Sequence, residues 1–283
     1  MSIKVTHDEG VATVLLDRAD KLNALSGEMY QELADAFTAL NNDDSVRVVL
    51  LTGAGRAFCA GGDVGSMGNF DVVSGRKRSK GHHRMILALH HLEKPVIAAV
   101  RGPAAGIGAS LALASDLIVA SENAYLLMAF KNVGIPPDGG AIFFLTQHLG
   151  LARAKEIVYS ARKLPAAEAK DMGLISKVVP DNQLEAASLA LAREIAGSAT
   201  YALTLAKRMF QYMYVPTLEQ LLEMEVLAIC GARMTHDHVE GVTAAPDEAD
   251  PPLVVDPDAI ARPSRRTPTP SPSPTPTPTP TPT

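Results

Sequence analysis

Residues 94–110 read KPVIAAVRGPAAGIGAS, and this stretch decides the fold class. The run Pro95–Val100 is short and apolar, which predicts a buried strand. A loop of small residues follows it and leads into an alanine-rich helical pattern over Gly106–Ser115. A strand that ends in a glycine loop at the start of a helix is typical of α/β proteins, which bind ligands at this edge of the sheet.

The same alternation continues on both sides of this stretch. Further strands are predicted at Val11–Leu16, Val46–Leu51 and Asp116–Ala120. Helices are predicted from a Ser26 N-cap to about Asn41, and over His82–Leu92 and Gly140–Leu149. Apolar strands that alternate with helices predict an α/β core with a largely parallel sheet covered on both faces.

Beyond residue 150 the pattern becomes helical. One strand is predicted at Ile175–Val179. The predicted helices are Ala152–Ser160, Ala166–Met172, Asn182–Gly197, Thr200–Met213 and Thr217–Met234. We therefore divide the folded chain into a core at residues 1–197 and a helical region at residues 198–244.

The last segment, residues 245–283, has a different composition. From Pro246 onward it contains 13 of the 20 prolines, and a Thr-Pro repeat begins at Thr267. Such a segment lacks the apolar residues that would offset its ordering entropy, so we expect a disordered tail. A solvated tail, the product of a reading-frame change, and a docking segment for proline-binding partners remain as alternatives.

Composition excludes several classes of function. The formal net charge of −5 gives no support to nucleic-acid or anionic-membrane binding. Cys59 and Cys230 are the two cysteines, and the N-terminal residues include acids where a secretory peptide needs an apolar run. No uninterrupted apolar stretch reaches the roughly 18 residues of a membrane-spanning helix. These features predict a soluble cytoplasmic protein.

Two glycine-rich loops are the candidates for chemistry. Arg56–Asp63 follows one predicted strand and Arg101–Ser110 follows another. Small residues let the backbone approach a ligand, and a helix start leaves N–H groups free, so the loops could direct donors at one oxygen. Neither loop has the phosphate-binding GxxxxGK[ST] pattern, and Leu111 stands where a dinucleotide fold needs its third glycine.

Several motifs in order along the chain carry a family resemblance. They are Asp17-Arg18, Asn23-Ala24-Leu25, Phe58-Cys59-Ala60-Gly61-Gly62-Asp63, Lys94–Val100 with Gly102 and Ala105-Gly106, Pro137-Asp138-Gly139-Gly140, Gly173-Leu174 with Val178-Val179, and Glu240-Gly241. Over about Ile3 to Ala244 the chain resembles the crotonase (enoyl-CoA hydratase/isomerase) superfamily, and its motifs are most similar to isomerase-type members such as ring-1,2-epoxyphenylacetyl-CoA isomerase.

The resemblance implies a ββα-spiral core with a C-terminal helical trimerisation region, assembled as a homotrimer or a dimer of trimers. It implies an acyl-CoA thioester substrate, with coenzyme A as part of the substrate and neither a separate cofactor nor a metal. By motif position, the oxyanion donors would be the backbone N–H groups of Ala60 and Ile107. Lys21, Leu22 and Ala24 would lie near the coenzyme A moiety.

The reaction depends on three positions. Hydratase members of the family use two glutamates to hold and deprotonate water, and the corresponding residues here are Ser110 and Phe130. Asp138 stands in a turn that resembles the isomerase-type members, where the aspartate transfers the proton. The sequence alone also allows Asp138 to be only the N-cap of the following helix.

We therefore expect an enoyl-CoA isomerase that uses Asp138. Hydration, another crotonase-type lyase or hydrolase reaction, and a non-catalytic scaffold remain as alternatives. Two residues of the first loop have simpler interpretations: Cys59 as a small buried hydrophobe and Asp63 as a residue that organises the loop. His82, His83, His90 and His91 are expected at the surface of their helix, opposite Met85, Leu87 and Leu89.

Overall fold

A computed structural model describes residues 2–63 and 72–212 of the chain. The strands are β1 (Ile3–Asp8), β2 (Val11–Leu16), β3 (Val48–Gly53), β4 (Val96–Val100), β5 (Pro103–Ala105), β6 (Leu117–Ser121), β7 (Tyr125–Leu127), β8 (Lys163–Pro165) and β9 (Lys177–Val179). The helices are α1 (Gly27–Asn41), α2 (Val72–His90), α3 (Ile107–Ala114), α4 (Ala141–Ser160), α5 (Ala166–Asp171), α6 (Leu184–Ala196) and α7 (Thr200–Tyr212). The predicted helix at Thr217–Met234, most of the predicted helical region at residues 198–244 and the Thr-Pro tail lie outside the described residues.

Six strands form the main sheet, in the order β1-β2-β3-β4-β6-β9. All neighbours are parallel except β1 and β2, so the predicted largely parallel sheet is confirmed. β3 begins two residues later than predicted because the N–H of Val46 closes a turn on the carbonyl of Asp43, at 3.1 Å. β1 is an unpredicted antiparallel edge strand, and Ile3 is its one buried residue.

Both faces of the main sheet are covered, as the apolar strands predict. Val49 and Leu51 of β3 face the larger core cluster, which includes residues of α1, α2 and α3. Val48 and Leu50 face a second cluster that includes residues of α6. Each fully buried apolar side chain of this size contributes roughly 1.5–3 kcal/mol, so both layers are needed for stability.

A second sheet, β5-β7-β8, supports the glycine loop that follows β4. β5 pairs in parallel with β7, and β7 pairs antiparallel with β8. Each strand has only three residues, too few for an alternating pattern in the sequence. This small sheet fixes the path of the chain immediately before α3.

Helix α4 bends at Gly150, whose φ and ψ of 73° and 167° are not helical. The two helices predicted over Gly140–Leu149 and Ala152–Ser160 are therefore confirmed as two segments joined at a glycine kink. The helices in the described ranges include none with both the length and the apolar character needed to cross a bilayer.

Helix α7 is anchored to the sheet by a buried lysine. The Nζ of Lys207 donates to Asp116 Oδ2 at 2.7 Å and to the carbonyl of Lys94 at 3.0 Å. The same Asp116 oxygen accepts from the N–H of Val96 at 2.7 Å. Burial lowers the pKa of Lys207, and the neighbouring Asp116 carboxylate opposes that shift. The described start of the helical region is thus packed against the sheet.

Candidate active site

The two glycine-rich loops lie directly against each other. Cys59 donates its N–H to the carbonyl of Pro103 at 3.1 Å and accepts from the N–H of Ala105 at 2.9 Å. A Cβ on Gly61 would lie 3.0 Å from the carbonyl oxygen of Ala105 and 3.9 Å from the Cα of Gly106. Because Gly61 also has a φ of 107°, this approach requires glycine.

The prediction that Ala60 is an oxyanion donor is wrong. Its N–H already donates to the carbonyl oxygen of Leu22 at 2.9 Å, so it points into the loop that precedes α1. A backbone donor with a good internal acceptor cannot also bind a substrate oxygen without losing that bond.

Gly62 is the better candidate in this loop. The carbonyl of Gly61 accepts from the N–H of Leu25 at 2.8 Å. In a trans peptide the C=O and the following N–H point in opposite directions, so the N–H of Gly62 points away from Leu25. The sequence gives two adjacent glycines and no signal that separates them, and only the hydrogen-bond directions do so.

Ile107 has the geometry expected of the second donor. It is the first residue of α3, after Gly106 with a φ of 52°. The N–H groups of Ala109 and Ser110 both donate to the carbonyl of Gly106, whereas that of Ile107 has no backbone acceptor within the described ranges. Its role as an oxyanion donor stays a prediction.

Gly108 lets α3 pack closely against the backbone of Cys59. We expect Gly108→Ala to lower the free energy of unfolding by about 3 kcal/mol. A Cβ there would lie 2.4 Å from the carbonyl oxygen of Cys59 and 2.7 Å from its Cβ, so backbone must move. Urea unfolding measures the effect. Gly27→Ala is the control, because its Cβ meets nothing within 4 Å. Equal stability of the two variants would contradict the expectation.

Ser110 and Phe130, which stand in place of the hydratase glutamates, are both buried. Ser110 Oγ donates to the backbone carbonyl of Asp138 at 3.0 Å. Gly139, with a φ of 61°, packs so closely that a Cβ would lie 2.9 Å from the Ser110 Cβ. The Phe130 ring lies 3.9 Å from where a Cβ on Gly106 would be. The small serine therefore lets the Asp138 turn rest on α3, and the phenylalanine covers the glycine loop.

The alternative that Asp138 merely caps α4 is wrong. That helix begins at Ala141, its N-cap residue is Gly140, and no side chain of the described residues makes the cap hydrogen bond. The Asp138 carboxylate instead has Oδ2 at 3.4 Å from His82 Nδ1. Its Oδ1 is buried and has no hydrogen-bond partner in the part of the chain that the structure describes.

The surface position expected for His82 is also wrong. Its side chain is only 12% exposed, and its ring stacks on Tyr30 with centroids 3.9 Å apart and planes at 20°. His82, Met85, Ile86 and Leu89 share the spacing of one helix face, which turns His82 inward. Leu87, expected on that face, is 50% exposed instead.

The other three histidines of α2 differ from one another. His83 and His91 are exposed, as expected. His90 is half-buried, contrary to expectation, because its ring packs against Phe143 and Phe144 at the start of α4. Burial lowers the pKa of His90, so its ring is held neutral.

The loop expected to contact coenzyme A is held by a buried asparagine. Asn23 Nδ2 donates to the carbonyls of Ala54 and Ala57, at 2.9 and 2.7 Å, and Oδ1 accepts from the N–H of Arg18 at 2.9 Å. Both Leu22 and Asn23 have positive φ, at 50° and 57°. The sequence did not single out Asn23 as the anchor of this loop.

Lys21, Leu22 and Ala24 therefore lie on a fixed loop that contacts the first glycine loop. Lys21 is exposed, while Leu22 and Ala24 are partly buried. Their contacts with coenzyme A stay a prediction. Asp63 pairs with Arg18 at 2.7 Å, as expected of a residue that organises its loop.

Known proteins that are similar to this chain show the family to which it belongs. The profile of the family described as enoyl-CoA hydratase/isomerase matches residues 6–250. The chain belongs to the enoyl-CoA hydratase/isomerase family. It is 36% identical over 250 residues to 1,2-epoxyphenylacetyl-CoA isomerase of Escherichia coli (strain K12), which covers 86% of this chain and 95% of that protein.

Other enoyl-CoA hydratase/isomerase relatives carry different reaction names. The chain is 35% identical over 240 residues to 4-chlorobenzoyl coenzyme A dehalogenase-1 of Arthrobacter sp, covering 83% of this chain and 87% of that one. The crystal structure of an enoyl-CoA hydratase from Bacillus anthracis superposes with a TM-score of 0.82 at 34% identity, covering 86% of this chain and 95% of that one. The expected crotonase-like α/β fold is confirmed, whereas the relatives do not agree on one reaction.

Cys59, within the first glycine-rich loop of this enoyl-CoA hydratase/isomerase family member, has an inert thiol. It is fully buried, and burial raises its pKa to about 12. A thiolate is the nucleophilic form of cysteine, and it is scarce at neutral pH for such a group. The interpretation of Cys59 as a small buried hydrophobe is confirmed.

The structure also has a surface groove of about 580 Å³. It runs between α1 and α2 and is lined by residues such as Thr38, Asn41, Arg84 and Leu87. Asp138 and the glycine loops are not among its lining residues. The described residues contain no group of three metal-binding side chains.

Proposed function

We propose that this chain is an enoyl-CoA isomerase in which Asp138 moves a proton along the acyl chain. The observation that carries the proposal is the position of its carboxylate. Asp138 lies on a turn packed against α3, where a Cβ on Gly139 would be 3.1 Å from Ile107 Cγ1. Its Oδ1 is buried and without a partner in the described residues, so it is available to accept a proton.

In this mechanism the thioester oxygen accepts hydrogen bonds from the N–H groups of Gly62 and Ile107. Asp138 takes a proton from C2 of a 3-enoyl thioester, and the electron pair delocalises into a dienolate whose negative charge rests on that oxygen. Donors already aimed at the developing charge stabilise it without reorganisation. The same carboxylic acid then returns the proton at C4, giving the conjugated 2-enoyl thioester.

Hydration is less well supported. Hydratase members of the family use two carboxylates to hold and deprotonate a water molecule, as general acid–base catalysts. Ser110 spends its hydroxyl on the carbonyl of Asp138, and Phe130 presents an apolar ring to the glycine loop. An isomerase needs only one mobile base, which Asp138 supplies.

A second candidate is hydrolytic dehalogenation of a halogenated aroyl-CoA thioester. It is favoured by the imidazole of His82 beside Asp138, and by a relative named for that reaction. The Asp138 carboxylate would attack the ring carbon, halide would leave, and water would hydrolyse the aryl ester, releasing a phenol and restoring the carboxylate.

One panel separates these functions. Purified protein is mixed with a 3-enoyl-CoA, a 2-enoyl-CoA and 4-chlorobenzoyl-CoA. Isomerisation of the 3-enoyl-CoA is followed by the ultraviolet absorbance of the conjugated thioester that forms. Hydration of the 2-enoyl-CoA is followed by the loss of the same absorbance, and dehalogenation by the release of chloride. We expect the first signal to dominate. Chloride release without isomerisation would support the second candidate, and binding with no turnover of any ester would indicate a non-catalytic scaffold.

We also propose a cytoplasmic homotrimer or dimer of trimers. This proposal is supported by apolar side chains on α7 that are exposed in the single chain. Tyr201 is 49% exposed, Leu203 38% and Phe210 66%. Light scattering should give three or six times the 29.9 kDa of the chain. Phe210→Asp should lower that mass, whereas Tyr159→Asp, at an exposed site on α4, is the control. A monomeric mass for the unmodified chain would refute the proposal.

A further inference from the structure

We propose, on the basis of the isomerase function above, that His82 is the positioning residue for Asp138. Its ring holds Oδ2 of the carboxylate, and Tyr30 holds the ring, so that Oδ1 is left to move the proton. Three independent observations on His82, Asp138 and Tyr30 lead to this inference.

The first observation is the contact between the two side chains. His82 Nδ1 lies 3.4 Å from Asp138 Oδ2, slightly longer than the roughly 2.7–3.2 Å of a well-formed N–H···O bond. Hydrogen bonds of catalytic groups often tighten only when substrate binds. A carboxylate can only accept, so Nδ1 must carry the hydrogen for this contact to be favourable. The contact joins α2 to the turn before α4.

The second observation concerns the two atoms on the far sides of this contact. His82 Nε2 and Asp138 Oδ1 are both buried, and neither has a hydrogen-bond partner among the residues that the structure describes. With Nδ1 protonated, Nε2 of the neutral ring is an acceptor. The pair therefore has one contact between its members, and one buried carboxylate oxygen is left without a partner in the described residues. Such an exception needs an explanation, and a role in accepting a proton supplies one.

The third observation is the support of the imidazole. Its ring stacks on Tyr30 at a centroid distance of 3.9 Å, and Tyr30 is 4% exposed within the core. The neighbours Met85 and Ile86 on the same helix are buried as well. A ring held between a packed helix and a buried aromatic side chain has little rotational freedom, so it can restrict the carboxylate in turn.

Kinetics of His82 variants test the inference. We expect His82→Ala to lower kcat for isomerisation by about ten- to a hundredfold, since small misplacement of a reacting group costs rates of this order. KM should stay within about twofold because His82 does not bind the thioester. His82→Asn, whose amide can replace the Nδ1 donor, should recover most of the loss. His83→Ala, at the exposed neighbouring site, is the matched control and should behave as the unmodified protein.

Two outcomes would overturn the inference. One is an unchanged kcat in His82→Ala. The other is an equal loss in the Ala and Asn variants, together with an equal fall in melting temperature, which would make His82 a structural residue only. Added imidazole should raise kcat of His82→Ala and leave that of Asp138→Asn unchanged.

A spectroscopic measurement separates failure of this inference from failure of the isomerase function. The ¹⁵N resonances of His82, assigned by their loss in His82→Asn, should show that Nδ1 carries a hydrogen. Asp138→Ala should shift them. If the unmodified protein fails to isomerise 3-enoyl-CoA but these resonances behave as expected, the contact stands and the proposed function is wrong. If Nδ1 carries no proton, the positioning role is wrong whatever the activity.

Discussion

Asp138→Asn should abolish nearly all isomerisation while leaving the fold and thioester binding intact. We expect kcat to fall by about 10²- to 10⁴-fold, the range over which a positioned acid–base group accelerates proton transfer. Asparagine has the same shape but cannot take a proton from C2. It keeps the backbone carbonyl that accepts from Ser110, so the turn against α3 should remain in place.

Calorimetric titration with a coenzyme A ester and thermal unfolding accompany the rate measurement. Asp171→Asn is the control, because Asp171 is exposed at the end of α5, and its activity should be unchanged. Normal turnover in Asp138→Asn would remove the central residue of the proposed mechanism. A loss of both binding and melting temperature would show instead that the residue is structural.

Ile107→Pro should lower kcat by about 10²- to 10³-fold, the cost of losing one oxyanion donor. The substitution removes an N–H group and little else from the backbone. Ile107 is the first residue of α3, a position where proline is well accommodated because the N–H has no helical acceptor. The thioester oxygen would then retain the N–H of Gly62 alone while charge develops.

Ile107→Ala separates the donor from the side chain. It also removes the apolar side chain, which packs beside Gly139, but it keeps the N–H. We expect it to retain most of the kcat that the proline variant loses, at comparable melting temperature. Equal rates in the two variants would mean that the Ile107 N–H does not bind the thioester oxygen.

Much of the fold can be predicted because its strands are buried on both faces. Continuous apolar runs such as Val96–Val100 identify the parallel strands without any other information. β1 gives no such signal, since only Ile3 of its six residues is buried. The short strands β5, β7 and β8 owe their existence to neighbouring chain segments rather than to their own residues, so periodicity cannot reveal them.

The site is only partly predictable, for a different reason. Motif position predicts roles for Asp138 and Ile107 that stay predictions, and it selected Ala60, whose N–H already donates to the Leu22 carbonyl. The direction in which each N–H group of a glycine loop points depends on chain segments that are distant in sequence, so it cannot be predicted from the residues of the loop. His82 could have been found, because its spacing to Met85 and Leu89 places it on the buried face of α2.

The close approach of Gly61 to Ala105 and Gly106 also has a consequence for the rate at which the protein is degraded in the cell. Those residues are far apart in sequence and meet only when β3, β4 and the small sheet are all formed. A thioester that binds there has no partner in the unfolded chain, so it adds about 2.7 kcal/mol to the free energy of unfolding at a hundred times its Kd. A gain of that size lowers the unfolded population exposed to proteases about a hundredfold. Changes of only about 1–2 kcal/mol already alter the abundance of a protein several-fold. The supply of acyl-CoA would thus help to set the abundance of the enzyme that consumes it.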